Sequence, residues 1–574
     1  MVATPVKTKR LTVQVANLTA DTTAIRSLDW DRDRFDIEFG LQNGTTYNSY
    51  LIRGEKIALV DTSHEKFRQL YFDSLNGLIN PQEIDYLIIS HTEPDHSGLV
   101  KDLLQLAPNI TVVGSKVAIQ FLENLVHHPF QRQLVKNGDQ LDLGNGHILE
   151  FVNAPNLHWP DTIFTYDHGS GILFTCDAFG MHYCSDDLYD EQLSAIEPDY
   201  RFYYECLMAP NARSVLAAMK RMEPLGNINL VANGHGPVLK HNVTELLTRY
   251  RDWSQAQTKA EKTVAVFYIS DYGYSDRLCQ SIAKGITKTG LAVETLDLKS
   301  ADPQEVKELA SSAVGIVIGT PPVSGIHAQE ITGNLGTILA SVNPKQYLGM
   351  FESQGGDDES ILPLFNKFRE VGLTKAFDPI RSAETPNESL YQRCEEAGTD
   401  MGQLLTQEVK VKQRKSLDTD LDKAIGRISG GLYIITTKKG DRSGAMVASW
   451  VTQASFDPPG FTVAVAKDRA IESLLQVGDQ FILNILEEGN YQTLMKHFLK
   501  RFGPGEDRFA GVNTRTANNG SPILADALAY LECEVVSRME CADHWIVYNK
   551  VTDGRVSKPD SLTAVHHRKV GNYY

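Results

Sequence analysis

The chain has 574 residues, 42% of them hydrophobic and 22% charged, an ordinary globular composition at a length that implies three or four domains. With 56 Lys and Arg against 72 Asp and Glu, its net charge of −16 argues against a nucleic-acid footprint or a polybasic membrane patch and leaves small ligands or proteins as partners. No run of about 18 apolar residues occurs, and the opening MVATPVKTKRLTVQV has no apolar core of signal-peptide length, so a cytoplasmic protein without an integral membrane segment is expected.

From about Phe35 to Tyr250, short apolar runs alternate with amphipathic segments. Ser49–Ile52 and Ile57–Val60 read as strands around the turn Arg53–Glu55, Glu65–Leu75 as a helix, and Tyr86–Ile89 as a buried strand. Thr111–Val113, a helix from Ser115, and strands at Ile148–Val152, Thr162–Tyr166 and Gly171–Cys176 follow, the rhythm of an α/β sandwich. The strand Tyr86–Ile89 runs into IISHTEPDHSG. There, His91, Glu93 and Asp95 alternate to one side, and His96 swings in as the backbone turns toward a helix. His158, Asp177 and His235 each fall just after another strand, where the loop ends of a sheet converge. Imidazoles and carboxylates form a mixed N/O ligand set that suits iron, manganese or zinc and offers nothing to a thiophilic ion. His127, His128, His147, His168, His182 and His241 lack this pattern and read as ordinary surface residues or neighbours of the site.

After the polar connector Lys259–Thr263 the rhythm restarts. Val264–Ile269 is a strand, SDYGYS (Ser270, Asp271, Tyr272, Gly273, Tyr274, Ser275) a hydroxyl-rich turn, and Asp276–Thr289 a helix; Val293–Leu296 and Val314–Ile318 follow as strands. The second of these ends in GTPPVSG, with Thr320, Pro321, Pro322, Val323, Ser324 and Gly325; Tyr347–Phe351 ends in ESQGGDDES, with Gln354, Gly355 and Gly356. This is a doubly wound unit whose ligand should lie at the carboxyl ends of its strands. The turn between strand and helix offers hydroxyls and N–H groups as an anion cradle suited to a monophosphate. Gln407–Leu417 reads as a charged linker. Beyond it, Leu432–Thr437, Ala445–Val451, Phe461–Val465, Phe481–Ile485, Glu534–Ser537 and His544–Val551 look like strands of a mostly antiparallel barrel. Seven scattered cysteines without a CxxC pair argue against a disulfide framework, an iron–sulfur site or rubredoxin-type ligation.

The HxExDH core resembles the HxHxDH motif of the metallo-β-lactamase superfamily, with Glu93 where the second His would stand. That replacement is similar to the one in flavodiiron proteins, where a di-iron redox site takes the place of a di-zinc hydrolase site. The resemblance implies His91, Glu93 and His158 on one iron, Asp95, His96 and His235 on the other, and Asp177 bridging. SDYGYS resembles the flavodoxin FMN loop. Ser443–Pro459 resembles a flavin-reductase segment, implying a second flavin, FMN or FAD, at Ser449, Trp450, Thr452 and Gln453, and Asp543–His544 and the terminal HHRKVGNYY (His566–Tyr574) add to that likeness.

In its order of parts the chain is similar to the three-domain flavodiiron proteins of oxygenic phototrophs. The implied architecture is a metallo-β-lactamase αββα sandwich over residues 1–258, a flavodoxin-like doubly wound parallel sheet over 263–405, a linker at 406–417, and a split-barrel flavin-reductase domain over 418–574. The implied activity passes electrons from NADH or NADPH through flavin and FMN to the irons, which reduce O2 to water without releasing peroxide. Nitric oxide reduction at the same irons is the alternative, and Glu93 disfavours a zinc hydrolase. The family likeness further implies a head-to-tail dimer, with a second copy or a sister chain.

Overall fold

A computed structural model of the chain describes residues 10–32, 34–35, 39–269, 275–299, 301–320, 328–352, 361–382, 386–416 and 420–568. One compact unit is built mainly from residues 41–261. Its first sheet has seven strands in the order Leu11–Asn17, Thr22–Asp29, β1 (Thr45–Arg53), Ile57–Val60, β2 (Tyr86–Ile89), Thr111–Gly114 and Gln131–Leu134. The ladders are antiparallel as far as Ile57–Val60 and parallel beyond it. The second sheet has five, in the order Gln140–Gly144, β3 (His147–Asn153), Ile163–Asp167, β4 (Ile172–Cys176) and β5 (Leu230–Asn233).

The two sheets share one core, with Tyr50, Ile52, Val60 and Ile88 against Phe151, Ile163, Phe174 and Ala232. Helical segments carrying Phe67, Tyr71, Leu103, Ile119 and Leu122 cover the first sheet's other face, and helix Ala212–Met222 packs on β3, completing the αββα layering. Strand β2, a continuous YLII run, is apolar because a parallel strand is buried on both faces. The helix over Lys116–Val126 begins where Ser115 Oγ accepts from the Ala118 N–H. A hairpin over Leu11–Asp29 precedes the expected start near Phe35. Its second strand, TTAIRSLD, is buried at every position although five of its eight residues are polar, and Arg26 donates to Gln14 Oε1 at 2.6 Å and to Asp187 O at 2.9 Å.

A second compact unit, mainly residues 262–293 and 301–574, is built on two large sheets. The first has the order Ala292–Asp297, β6 (Thr263–Tyr268), β7 (Gly315–Thr320) and β8 (Tyr347–Glu352), with Thr374–Lys375 and Ile380–Arg381 beyond β8, the flavodoxin-like strand order. Helices α1 (Ser275–Thr287) and α2 (Glu388–Ser416) cross backbone to backbone. A Cβ on Gly285 would lie 2.0 Å from Glu395 O, and one on Gly398 2.1 Å from Ile282 O. The stretch expected as a linker from Gln407 continues α2 to Ser416, because its Lys, Gln, Glu and Arg are good helix formers and no Gly or Pro interrupts them.

The other sheet is antiparallel and seven-stranded. It runs from β9 (Arg442–Ala448) at one edge through Tyr433–Lys439, Gln480–Ile485, Ala529–Cys541, His544–Val556 and Pro459–Ala466 to β10 (Val451–Phe456) at the other. The single strand expected over Ala445–Val451 is therefore two, broken at Ser449 and Trp450. Three Cα steps of 3.8 Å span at most about 11 Å, so the two edges lie side by side and the sheet wraps one core (Ile435, Phe461, Val463, Phe481, Val535 and Val547) although no ladder closes it among the described residues. Helix α2 fastens this sheet to the doubly wound part. Gln392 Nε2 donates to Ser443 O at 2.8 Å and Gln403 Nε2 to Asp468 O at 2.9 Å. Beside them lies a buried ionic cluster in which Lys288 meets both Glu395 and Glu472, Lys284 meets Glu395, and Arg538 meets Glu472. Among the described residues no helix is long and apolar enough to cross a membrane.

Candidate metal centre

Strand β2 delivers the first four functional side chains. Ser90 N–H donates to Asp61 Oδ1 at 2.8 Å and Thr92 N–H to Asp161 Oδ2 at 2.8 Å, which fixes the extended stretch that puts His91 and Glu93 on one side. Pro94 opens a helical turn over Pro94–Ser97 that brings in Asp95 and His96, and Thr62 Oγ1 ties the turn down through His96 O at 2.6 Å. His158 arrives from the loop after β3, Asp177 from the end of β4 and His235 from the end of β5. Asn156, Cys176 and Phe179, beside those ligands, hold φ of 64°, 52° and 63°, backbone strain of the kind that gathers at functional sites. Gly234 is required beside His235: a Cβ there would stand 2.6 Å from His96 Cε1.

All seven side chains expected from the sequence meet. His91, Glu93, His158 and Asp177 form one cluster whose nitrogen and oxygen atoms lie within 4.8 Å of one another, and Asp95, His96 and His235 form a second. Asp177 divides its oxygens between them. Its Oδ2 faces His91 Nε2 at 3.5 Å and His158 Nε2 at 3.3 Å, while Oδ1 faces His96 Nε2 at 3.0 Å and His235 Nε2 at 3.1 Å. Glu93 Oε2 closes the first group, 3.2 Å from His91 Nε2 and 3.0 Å from His158 Nε2; Asp95 closes the second, 3.5 Å from His96 Nε2 and 3.4 Å from His235 Nε2.

Burial by itself would strip these imidazoles of protons, but the carboxylates outweigh it. Asp161 above all, with Glu93 and Asp177, holds His91 well above its ordinary range; Glu93 and Asp177 lift His158 to about 10, and Asp177 and Asp95 lift His235 to about 10. Burial likewise pushes Glu93 and Asp177 up, and the facing imidazoliums, led by His158 and by His96 respectively, bring them well below the carboxylate range. The donor set thus calls for positive charge at its centre. Asp95 Oδ1, Asp177 Oδ2 and His96 Nδ1 are buried without a hydrogen-bond partner among the described residues, and two of these three are carboxylate oxygens aimed into the clusters. Four imidazoles and three carboxylates around two centres fit a pair of hard or borderline divalent cations.

The sequence matches the family described as ODP family beta lactamase over residues 45–236 and the flavin reductase like domain over 425–573. It is 70% identical over 566 residues, 99% of this chain and 98% of the relative, to diflavin flavoprotein A 1 of Synechocystis. The chain belongs to the diflavin flavoproteins. The metal soaked Flv1 flavodiiron core from Synechocystis matches 69% of this diflavin flavoprotein and 99% of its own length, at 38% identity and a TM-score of 0.64. This diflavin flavoprotein is accordingly a flavodiiron oxidoreductase, of a family built for flavin-mediated electron transfer to a di-iron site, which implies FMN, while its flavin reductase like part points to a second flavin.

Of the residues expected at the FMN of this diflavin flavoprotein, Ser275 begins α1 and Thr320 ends β7, both buried. Ser270, Asp271, Tyr272, Gly273, Tyr274, Pro321, Pro322, Val323, Ser324, Gly325, Gln354, Gly355 and Gly356 lie outside the described residues. At the expected second flavin site, Ser449 is buried and the Trp450 ring stands 5.1 Å from that of His544 and 5.0 Å from the Arg568 guanidinium; Thr452 and Gln453 are exposed on β10.

Sequence reasoning did not mark Asp161, three residues after His158, although an acid so close to a ligand in HWPDT is a usable signal. Nor did it separate the remaining histidines. His182 is buried with Nδ1 2.7 Å from Thr45 Oγ1 and its ring 4.6 Å from that of His235; burial, then the His235 charge, holds it well below the usual imidazole range. His147 is buried against Asp167 Oδ2 at 2.8 Å.

Proposed function

We propose that this diflavin flavoprotein is an NAD(P)H:oxygen oxidoreductase that reduces O2 to water. The observation that carries this is Asp177, which presents one oxygen to each imidazole pair, the arrangement a carboxylate needs to hold two metal ions side by side. In this reading His91, Glu93 and His158 would hold one iron and Asp95, His96 and His235 the other, and Asp177 would serve both. Two irons so held supply stored electrons and a place for a diatomic molecule to bind. The chain's own residues set the rest. The imidazoles are at most 3% exposed in their side chains while Glu93 and Asp95 are 12% and 21% exposed, so a small substrate enters on the carboxylate side. The buried anions balance the cations' charge, and the apolar sheets behind the site keep bulk water away from its far side.

FMN is assigned to the turn Ser270–Ser275 with the segments 320–325 and 354–356, and the second flavin to Ser449, Trp450, Thr452 and Gln453. The domain limits of 258, 263, 405 and 418 belong to the same reading, as do a cytoplasmic location and a head-to-tail dimer with a second copy or a sister chain; an active monomer in sedimentation would contradict that assembly. One O2 takes four electrons and four protons to give two waters, so two nicotinamides each give one hydride per O2. The test is oxygen uptake by protein loaded with Fe(II) and FMN, given NADH and NADPH in turn. Two nicotinamides consumed per O2 with no peroxide supports the proposal. One nicotinamide per O2 with peroxide accumulating would make the protein a leaky flavin oxidase, and turnover with NO but not O2 would make it a nitric oxide reductase.

A further inference from the structure

A ligating imidazole uses one ring nitrogen for the metal, and whatever accepts from the other nitrogen fixes the tautomer, sets the ring's angle and raises its basicity. Three of the four imidazoles here can be compared on that point. Behind His91 stands a carboxylate: Nδ1 is 3.0 Å from Asp161 Oδ1, while Nε2 faces Glu93 and Asp177. Asp161 is itself pinned, with Oδ2 accepting from Thr92 N–H at 2.8 Å and from the Thr92 hydroxyl at 2.5 Å, and both residues are fully buried. Behind His235 stands a neutral carbonyl, Thr46 O, accepting from Nδ1 at 2.6 Å. Behind His96 there is no acceptor, since Nδ1 is buried without a hydrogen-bond partner among the described residues.

Resting on the reading that these side chains hold two irons, we infer that Asp161 is a positioning residue that makes the two metal positions unequal, the ion at His91, Glu93 and His158 being bound more tightly and by stronger donors than the ion at Asp95, His96 and His235. A full negative charge on Nδ1–H keeps the Nε2 lone pair on the metal side and pushes electron density toward it; a carbonyl dipole does less, and an absent acceptor does nothing. The effect is confined to one position. Thr92 lies between His91 and Glu93, so its two bonds to Asp161 also steady the backbone that carries Glu93, whereas the His96 turn is held separately by Thr62 and His235 by Thr46.

The test uses the full chain loaded with ⁵⁷Fe(II), and compares wild type with Asp161→Asn, which preserves shape and removes the charge. Chelator competition should show one of the two irons released roughly 10- to 100-fold more readily, the usual effect of losing such a partner, with the other unchanged. Only one of the two Mössbauer doublets should shift. Thr92→Val leaves the Asp161 charge in place but removes one of its restraints, so the same iron should loosen by roughly 2- to 10-fold, the equivalent of one hydrogen bond. If Asp161→Asn does not fold, as circular dichroism of the metal-free protein would reveal, Thr92→Val decides alone. Both irons leaving together, or both retained with unaltered doublets, would overturn the inference. A wild type that takes up fewer than two irons would instead overturn the di-iron reading beneath it.

Discussion

Glu472→Gln tests whether the doubly wound and antiparallel parts are locked together by charge. Glu472 is nearly buried in the short turn Ala470–Leu474, its Oε2 2.8 Å from Lys288 Nζ and its Oε1 against Arg538. Burial alone would raise its carboxyl; the cations, Lys288 first and then Arg538, outweigh that and hold it well below the ordinary carboxylate range. Gln keeps the volume and removes the charge, leaving Lys284 and Lys288 to share Glu395 and Arg538 without its carboxylate in a dry interface. Breaking one partner of a buried pair costs about 3–5 kcal/mol. At roughly 2–4 °C per kcal/mol, the thermal transition of this unit should fall by about 6–20 °C in calorimetry of the full chain at pH 7. A depressed carboxyl contributes stability that is complete above the ordinary carboxylate range and is lost as pH falls below it, so the gap between wild type and variant should close in acid. A loss of no more than about 0.5 kcal/mol, the size expected for an exposed pair such as Lys467 with Glu540, would refute the reasoning.

Three further outcomes are expected. Gly234→Ala should displace His96, because the new Cβ would stand 2.6 Å from His96 Cε1 and 3.1 Å from the Cys176 carbonyl carbon; iron affinity at one position should fall by at least about 10-fold in a chelator titration, with far-UV circular dichroism unchanged. Trp450→Ala should weaken one flavin by roughly 2- to 10-fold and spare the other, read as flavin content after dialysis; equal retention of both would move the second site elsewhere. Since His158 and His235 sit near 10 in the metal-free protein, they are protonated at pH 7 and must give up those protons to bind a cation. Calorimetry of iron uptake in buffers of different ionisation enthalpy should show about two or more protons released per chain; no release would contradict the assignment.

The sequence makes the site legible because its ligands come in one dense run followed by single residues at strand ends, and strand ends are what period and polarity reveal best. Strand β2 has the limits expected of it, and Ser115 caps its helix where the hydroxyl stands. What stayed hidden has physical causes. Thr22–Asp29 is buried while reading as polar because both terminal nitrogens of Arg26 donate to carbonyls of a distant loop, a partnership no local pattern displays. The helical end of α2 looked like a linker because charge marks both exposed helices and loops. Asp161 escaped because its role depends on a ring nitrogen 70 positions away. The break at Ser449 and Trp450 was invisible because edge-to-edge passage leaves no trace in an apolar run.

The most direct test is the Mössbauer spectrum of protein reconstituted with ⁵⁷Fe(II), set beside that of Asp177→Ala. The account predicts two iron sites of equal area in wild type and the loss of that paired signal when the shared carboxylate is removed. A single site, or two sites indifferent to Asp177, would contradict it.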